Sequence, residues 1–245
     1  MAERNWSQEY ASRVKWIRAQ LKASGAEGIV YGNSGGKDSA LVGILCKAAC
    51  SDTLGLIMPC SSKRNFSVDM EDGLAVAAQY QIETRTIDLT PVREQELAAL
   101  ESVTAVSELA AANIAPRLRM TTLYAVAATE NRLVAGTGNR SEAYMGYFTK
   151  WGDGAHDFNP IGDLTVTEIF AFLRYLGAPR QIIEKAPSAG LFDGQTDEGE
   201  MGVSYKAIDD WLLDGRGTEP DLAVMRRFHE RSEHKRRPIP VYGGE

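Results

Sequence analysis

Cysteine is scarce in this sequence, with three in 245 residues. An odd and small number of cysteines argues against a disulfide framework and fits reduced thiols. Cys46 and Cys50 stand four apart on a predicted helix and Cys60 lies near the end of the next strand, so a three-thiolate metal site is one interpretation. Buried small apolar side chains are the other, and we prefer it because cysteine is among the most buried residue types.

The sequence also has no excess of positive charge and no long apolar run. Its net charge of −6 would be repelled by the polyanionic surfaces of nucleic acids and membranes, so neither is expected as a general partner. Residues 1–22 carry charges throughout and contain no apolar run of the length of a signal peptide or a membrane span. We therefore expect a cytoplasmic protein.

Internal repeats, low-complexity tracts and long linkers are absent as well, which predicts a single domain over residues 1–245. With 44% hydrophobic residues, a chain of this length can bury one sizeable core. Apolar periodicity predicts strands over residues 28–31, 53–58, 82–87 and 133–136. It predicts helices over residues 6–22, 39–50, 68–80, 93–112, 117–130, 165–176, 205–213 and 221–233, with a break near Pro116.

This order of elements predicts an α/β fold. Strands that alternate with helices form right-handed crossovers, and these build a parallel, Rossmann-like sheet with helices on both faces. The part of the chain after residue 165 adds a helical C-terminal region. Ligands of such sheets bind at the carboxyl edge of the strands.

A glycine-rich segment lies between the first predicted strand and the next helix. It reads Gly32, Asn33, Ser34, Gly35, Gly36, Lys37, Asp38 and Ser39. Glycines there let backbone N–H groups converge on a phosphate at the helix N-terminus. The segment fails the Walker pattern, because Lys37 is followed by Asp38, and it fails the dinucleotide fingerprint. An aspartate would repel a phosphate unless a cation bridged them, so Asp38 indicates Mg²⁺. An ordinary glycine turn with Asp38 as helix cap is the alternative.

The glycine-rich segment resembles the SGGxDS loop of the ATP pyrophosphatases, the PP-loop superfamily whose members split ATP into AMP and pyrophosphate. The second half of the chain resembles the signature of ammonia-dependent NAD synthetases, in TGNRSE at 137–142 and GYFTKWGD at 146–153. Further matching segments are Asn113, RLRM at 117–120, KAPSAGL at 185–191, QTDE at 195–198 and HKR at 234–236. The resemblance covers nearly the whole chain, and it implies an adenine nucleotide alpha hydrolase-like fold.

The resemblance also implies roles for individual residues. The loop from Gly32 to Ser39 would hold the ATP phosphates, with Thr137 and Ser188 as further ATP contacts. Asp38 and Glu142 would ligate the magnesium, for which carboxylate oxygens are suited. The positions that match contacts to the dinucleotide substrate, deamido-NAD, are Arg117, Lys150, Asp157, His234 and Lys235.

NAD synthetases are homodimers, so the resemblance implies a dimer here. The predicted helices between residues 93 and 130 support it, because they are more apolar than one sheet face requires. The apolar residues concerned are Leu97, Ala98, Leu100, Val103, Val106, Leu109, Ala110, Ile114, Leu118, Leu123, Tyr124 and Val126. The alternative is that these helices only cover the sheet.

Two residues depart from the family pattern. Asn33 stands where the family has a small apolar residue, and Val166 stands where it has a lysine that reaches the ATP phosphates. Lys37 is a candidate for the missing cation, unless its side chain points to solvent. The second departure bears on rate, ATP affinity or substrate rather than on the fold.

A carboxylate is a poor electrophile, so amidation first needs a leaving group. The implied reaction is attack of the nicotinate carboxylate on the ATP α-phosphorus, followed by displacement of AMP from the acyl-adenylate by ammonia. No side-chain nucleophile is needed, because the protein contributes positioning and electrostatics. Glutamine-using relatives carry a separate glutaminase domain, and since the first helix begins almost at Met1, we expect free ammonia, or ammonia from another protein, as the nitrogen source.

Three other functions remain open at this point. The same scaffold could amidate the smaller nicotinate mononucleotide. A tRNA thiolase of the same superfamily is disfavoured by the acidic balance and by the lack of a paired-cysteine motif. A catalytically impaired nucleotide-binding homologue is the third, with Val166 as the mark of lost catalysis.

Overall fold

The computed structural model describes residues 4–61, 66–185 and 197–243. In chain order the elements up to the last strand are α1 (Trp6–Ser24), β1 (Gly28–Gly32), α2 (Lys37–Ala49), β2 (Thr53–Ile57), α3 (Val68–Tyr80), β3 (Glu83–Thr86), α4 (Thr90–Glu101), α5 (Glu108–Ala112), α6 (Ile114–Glu130) and β4 (Arg132–Ala135). They are followed by α7 (Arg140–Met145), α8 (Val166–Leu176), α9 (Arg180–Glu184), α10 (Asp197–Met201), α11 (Tyr205–Asp214), α12 (Glu219–Arg231) and a 3-10 helix (Glu233–Lys235).

The strands form a parallel sheet in the order β3-β2-β1-β4. Val30 of β1 pairs with Leu54 of β2 on one side and with Val134 of β4 on the other. The strand order therefore reverses between β1 and β4, because the chain proceeds from β1 to β2 and β3 before it returns to β1's other edge. A reversal of this kind opens a crevice at the carboxyl edge of the sheet.

Helices cover both faces of the sheet, as predicted. Ile29 and Tyr31 pack into one fully buried cluster with Leu41, Ile169 and residues of α1. Val30 faces the opposite cluster, where α6 packs on β1 and β4. Alternate residues of strand β1 therefore pack into the two apolar clusters on opposite faces of the sheet. Each fully buried aliphatic side chain stabilises the fold by about 1.5–3 kcal/mol.

A third apolar cluster joins the C-terminal helices to α7. It contains Met145, Val166, Met201, Tyr205 and Met225 among its buried members. The cluster fixes the helical C-terminal region against the loops that follow β4. The predicted helical C-terminal part is thereby confirmed.

The break predicted near Pro116 is present but lies three residues earlier, at Asn113, between the end of α5 at Ala112 and the start of α6. Helix α6 begins at Ile114, and Pro116 lies in its first turn. Proline is tolerated there, because the first-turn N–H groups have no partner within the helix. A second interruption, over residues 102–107, was not predicted, and it splits the predicted helix 93–112 into α4 and α5.

The three cysteines do not converge. Cys46 is buried in the cluster with Ile29 and Tyr31, whereas Cys60 is buried in the cluster on the other face of the sheet. The three-thiolate interpretation is therefore wrong, and Cys46 and Cys60 are buried apolar residues.

Among the described residues, no helix has the length and apolarity of a membrane span. That residues 1–245 form one domain stays a prediction.

Candidate active site

A cavity of about 850 Å³ lies at the carboxyl edge of the sheet. The loops after β1, β2 and β4 form its floor, and the first turns of α6, the loop after α7 and residues near the 3-10 helix form its walls. Its position matches the crevice that the reversed strand order creates. Its volume is that of a site for a nucleotide-sized ligand.

The glycine-rich loop closes the end of the cavity below α2. Gly36 is the N-cap of α2, and within the described residues no side chain caps that helix, so its first-turn N–H groups face the cavity end. Gly35 has a φ of +70°, and a Cβ atom there would lie 2.0 Å from the carbonyl oxygen of Asp69. The loop therefore requires glycine at position 35 for both conformation and close approach.

Asn33 fastens this loop to α3. Its side chain is buried, and Nδ2 donates a hydrogen bond of 3.0 Å to the carbonyl oxygen of Gly73. Its Oδ1 accepts a 3.4 Å bond from the N–H of Gly35. The departure at Asn33 thus adds two polar contacts that hold the loop in place, contacts that an apolar residue cannot make.

Asp38 and Glu142 meet across the cavity through Asn139. The Asn139 Nδ2 donates to Asp38 Oδ1 over 3.1 Å, and the Asn139 N–H donates to Glu142 Oε2 over 3.0 Å. Asn139 and Glu142 also form the capping box of α7. The alternative that Asp38 caps α2 is wrong, because the cap residue is Gly36.

The carboxyl groups of Asp38 and Glu142 influence each other's charge. Burial raises the pKa of Glu142 above its ordinary value, and the charge of Asp38 raises it further. Asp38 and Glu142 are hard oxygen donors that carry like charges close together, which suits a divalent cation. No group of three or more such side chains is found in the described part of the chain. A pair of carboxylates fits Mg²⁺, which is usually held by one or two carboxylates together with substrate phosphates.

Lys37 does not point to solvent. Its side chain is 7% exposed, and its Nζ donates to Asp38 Oδ2 over 2.7 Å. Val166, by contrast, is buried in the apolar cluster of the C-terminal helices, and its backbone N–H donates to Ser141 Oγ. Position 166 supplies no charge to the cavity, and Lys37 is a cation that lies inside it.

Lys185 is a second cation at the loop. Its Nζ donates to Asp69 Oδ1 over 2.7 Å, to Asp72 Oδ2 over 2.6 Å and to the carbonyl oxygen of Gly35 over 3.2 Å. Neither Lys185 nor Asn139 was assigned a role from the sequence, although both lie in matching segments. The Asn-x-x-Glu spacing from Asn139 to Glu142 is typical of a capping box, and this signal in the sequence could have identified Asn139.

Cationic side chains gather at the other end of the cavity. Arg117 donates to the carbonyl oxygen of Lys150 over 3.3 Å, and Lys150 Nζ donates to that of His234 over 2.8 Å. Lys235 Nζ donates to the carbonyl oxygens of Gly146 and Phe148 over 2.8 and 2.6 Å. All four predicted substrate residues named here line the cavity.

The remaining predicted residues have different positions. Thr137 lines the cavity beside Glu142. Asp157 is not among the lining residues, because its carboxylate is turned to the Val134 N–H at 2.8 Å and to the Tyr124 hydroxyl at 3.2 Å. Ser188 lies outside the described residues, so its proposed ATP contact stays a prediction.

Comparisons with known proteins agree over almost the whole chain. The NAD synthase family model matches residues 9–238. A protein of Carboxydothermus hydrogenoformans named NH(3)-dependent NAD(+) synthetase is 48% identical over 95% of this chain and 96% of its own length. The structure of an NMN synthetase from Francisella tularensis superposes with a TM-score of 0.93 at 40% identity, over 99% of this chain and 100% of the other. An NH3-dependent NAD synthetase from Campylobacter jejuni gives a TM-score of 0.79 at 30% identity, over 98% and 100%.

Proposed function

The chain belongs to the NAD synthase family, and from that premise we propose that it is an ammonia-dependent NAD synthetase that converts ATP, deamido-NAD and ammonia into AMP, pyrophosphate and NAD. One observation carries the proposal. The phosphate loop lies in the same cavity as Asp38 and Glu142, which are linked by hydrogen bonds from Asn139, and cationic side chains line the rest of that cavity. The phosphate loop with its bound metal would complement the charge of an ATP triphosphate, and the cationic side chains would complement that of an anionic dinucleotide.

The loop residues act on ATP. The first-turn N–H groups of α2 would hold the phosphates, with Ser34 and Ser39 joined by a 3.1 Å hydrogen bond at the loop's centre. Asp38 and Glu142 would hold Mg²⁺, which when bound neutralises the charge that develops on the leaving pyrophosphate. Thr137 lines the same end of the cavity.

The other end of the cavity would bind the pyridine substrate. Arg117, Lys150 and Lys235 bring positive charge to a dinucleotide that carries a pyrophosphate bridge and a carboxylate. With the carboxylate held beside the ATP α-phosphorus, its oxygen displaces pyrophosphate and forms the acyl-adenylate. Ammonia then attacks the carbonyl carbon and AMP leaves, so the chain supplies position and charge rather than a nucleophile.

Nicotinate mononucleotide is the second candidate substrate, and one observation favours it. The chain superposes better on the NMN synthetase of Francisella tularensis than on the Campylobacter NAD synthetase, with TM-scores of 0.93 and 0.79. The relative from Carboxydothermus hydrogenoformans, at 48% identity, carries the NAD synthetase name and supports the first candidate. The two substrates differ only in the adenylate half, which deamido-NAD has and nicotinate mononucleotide lacks.

The deciding experiment measures pyrophosphate release and amide formation with ATP, Mg²⁺ and an ammonium salt. Deamido-NAD and nicotinate mononucleotide are compared at equal concentrations, with the Asp38→Asn variant as the inactive control. We expect the larger kcat/KM with deamido-NAD, and no turnover when glutamine replaces ammonium. A larger kcat/KM with nicotinate mononucleotide would select the second candidate. No pyrophosphate release with either acid would indicate a catalytically impaired homologue.

We also propose that the enzyme acts in the cytoplasm and as a homodimer. The dimer is supported by α4 and α5, in which no residue is buried within the chain. The apolar side chains of Val103 and Leu109 on this stretch are 80% and 74% exposed.

A further inference from the structure

Lys37 occupies an unusual position for a lysine. It is the first residue of α2, and its side chain folds back into the cavity with 7% of its surface exposed. The Nζ donates to Asp38 Oδ2 and lies 5.6 Å from the centre of the Tyr205 ring. An ammonium group has three protons to donate, and in the described part of the chain only the one to Asp38 has an acceptor.

Lys37 brings a positive charge among carboxyl groups. Its ammonium is bonded to Asp38, and Glu142 lines the same cavity. Asp197, which is buried, also lines the cavity and accepts a 2.9 Å bond from the Tyr205 hydroxyl. Since a lysine is charged at neutral pH, the cavity contains a cation among its carboxyl groups.

This cation is bonded to one of the two proposed metal ligands. Asp38 Oδ1 accepts from Asn139, and Asp38 Oδ2 accepts from Lys37, so both oxygens of this carboxylate accept hydrogen bonds within the chain. A divalent ion and an ammonium group on one carboxylate repel each other unless an anion lies between them. The ATP phosphates are such an anion, because the loop places them next to Lys37.

We propose that Lys37 is an exchangeable cation that holds Asp38 when the site lacks metal and moves to an ATP phosphate when Mg²⁺ takes its place on Asp38. The inference rests on the proposed function. It has two consequences. Lys37 opposes the binding of a free divalent ion, and it favours the binding of phosphate, so metal and ATP enter together.

The test uses Lys37→Met, which keeps the length of the side chain and removes its charge. Binding of Mn²⁺ without nucleotide is followed by the electron paramagnetic resonance of the free ion, and binding of pyrophosphate in metal-free buffer by calorimetry. We expect Lys37→Met to bind free Mn²⁺ about tenfold more tightly and pyrophosphate about tenfold more weakly than the wild type. Unchanged or weaker Mn²⁺ binding overturns the proposal, as does unchanged pyrophosphate binding.

The matched control is Lys185→Met, which removes a second lysine charge from the same cavity. Lys185 contacts Asp69, Asp72 and Gly35 rather than the proposed metal ligands, so its loss should leave Mn²⁺ affinity at the wild-type level. An equal gain in both variants would mean a general charge effect and overturn the proposal. If Lys37→Met does not fold, as judged by circular dichroism, Lys37→Gln is measured with the same outcomes.

Both readouts omit the pyridine substrate. A wild-type enzyme that binds Mn²⁺ and pyrophosphate as expected but amidates neither acid contradicts the proposed function alone. A wild-type enzyme that is active while Lys37→Met shows no change in Mn²⁺ binding contradicts the Lys37 proposal alone.

Discussion

Asp38 and Glu142 are held in place by one neighbour, Asn139, which donates to both carboxylates. We expect Asp38→Asn and Glu142→Gln each to lower kcat by on the order of 10²-fold or more, since each removes a negatively charged oxygen that would hold the magnesium. Both variants should stay folded, because the new amides keep the shape and most hydrogen bonds of the carboxyl groups.

The measurement is Mg²⁺-dependent pyrophosphate release, with thermal unfolding as the check on the fold. Asp210→Asn is the control, because Asp210 pairs with the exposed Lys206 on α11 and lies outside the cavity. Near-normal turnover of Asp38→Asn and Glu142→Gln at ordinary magnesium would contradict the assignment.

Gly35 permits a second test at single-residue resolution. A methyl group at position 35 meets the Asp69 carbonyl at 2.0 Å, whereas at Gly177, with a similar φ of +71°, it meets nothing within 4 Å. We expect Gly35→Ala and Gly177→Ala both to lose about 1–2 kcal/mol of stability from the left-handed backbone. Only Gly35→Ala should also weaken ATP binding, as measured by calorimetry, because only there must the phosphate loop move. Equal ATP affinity in the two variants would show that the loop tolerates the displacement.

Part of this residue-level arrangement could be predicted from the sequence. The phosphate loop was predicted from a local motif and the pairing of Asp38 with Glu142 from the family resemblance, and the structure places these residues in one cavity. The direction of the Lys37 side chain did not follow. It depends on Tyr205 and Asp197, which are distant in sequence and reach Lys37 only after the C-terminal helices have packed.

At the scale of elements, the segment from Ser232 to Arg236 clamps the end of α7 and the loop that follows it by hydrogen bonds to their backbone carbonyl oxygens. Lys235 donates to the carbonyl oxygens of Gly146 and Phe148, and Arg236 donates to that of Ala143. Residues of the clamped loop line the substrate end of the cavity. The resemblance assigned Lys235 to the substrate, and in the structure it lines the cavity while its ammonium is also bonded to the backbone of this loop.

We therefore expect Lys235→Met to raise the KM for the pyridine substrate by roughly tenfold, because two charge-assisted hydrogen bonds that position the loop are lost. The KM for ATP should change little, since the phosphate loop lies at the other end of the cavity. Steady-state kinetics with each substrate varied in turn measures the two constants. Lys206→Met, on an exposed helical face, is the control. An equal rise in both KM values would indicate a general loss of structure rather than a role in positioning.

Prediction succeeded for the strands and failed for the short helices. The predicted bounds of β1, β2, β3 and β4 agree with the structure to within a residue at each end. Helix α7 has six residues and was not predicted, because so short a segment shows little periodicity. The predicted break was displaced from Asn113 to Pro116 because a proline is common in the first turn of a helix as well as at a break.

At the scale of the whole molecule, the helical layer on the α6 face is incompletely covered. Leu118, Leu123, Tyr124 and Val126 pack partly against the sheet, as the covering interpretation expects. Helices α4 and α5 bury no residue within the chain, and Val92, Val103 and Leu109 are 49%, 80% and 74% exposed. Covering the sheet thus explains the apolar residues of α6 but not those of α4, α5 and the link between them.

A second copy of the chain is the partner we predict for this surface. In a two-fold interface each apolar patch is used twice, so the stretch from Arg93 to Glu130 could bury well over ~1,000 Å² in total. Leu109 belongs both to this surface and to the cavity wall, and Arg117 lines the cavity from α6. Dimer formation should consequently strengthen binding of the pyridine substrate as well as stability.

Val103→Glu tests the dimer without touching the cavity, since Val103 is not among the lining residues. A carboxylate at the centre of an apolar interface lacks a partner, so we expect the variant to be monomeric at micromolar concentration and to show a higher KM for the pyridine substrate. Val241→Glu makes the same chemical change at a residue that is 85% exposed in the C-terminal segment, and it should remain dimeric. Light scattering over a dilution series, with activity measured on the same samples, gives both quantities. A wild-type enzyme that is monomeric and fully active at micromolar concentration refutes the dimer, and a dimeric Val103→Glu variant places the interface elsewhere.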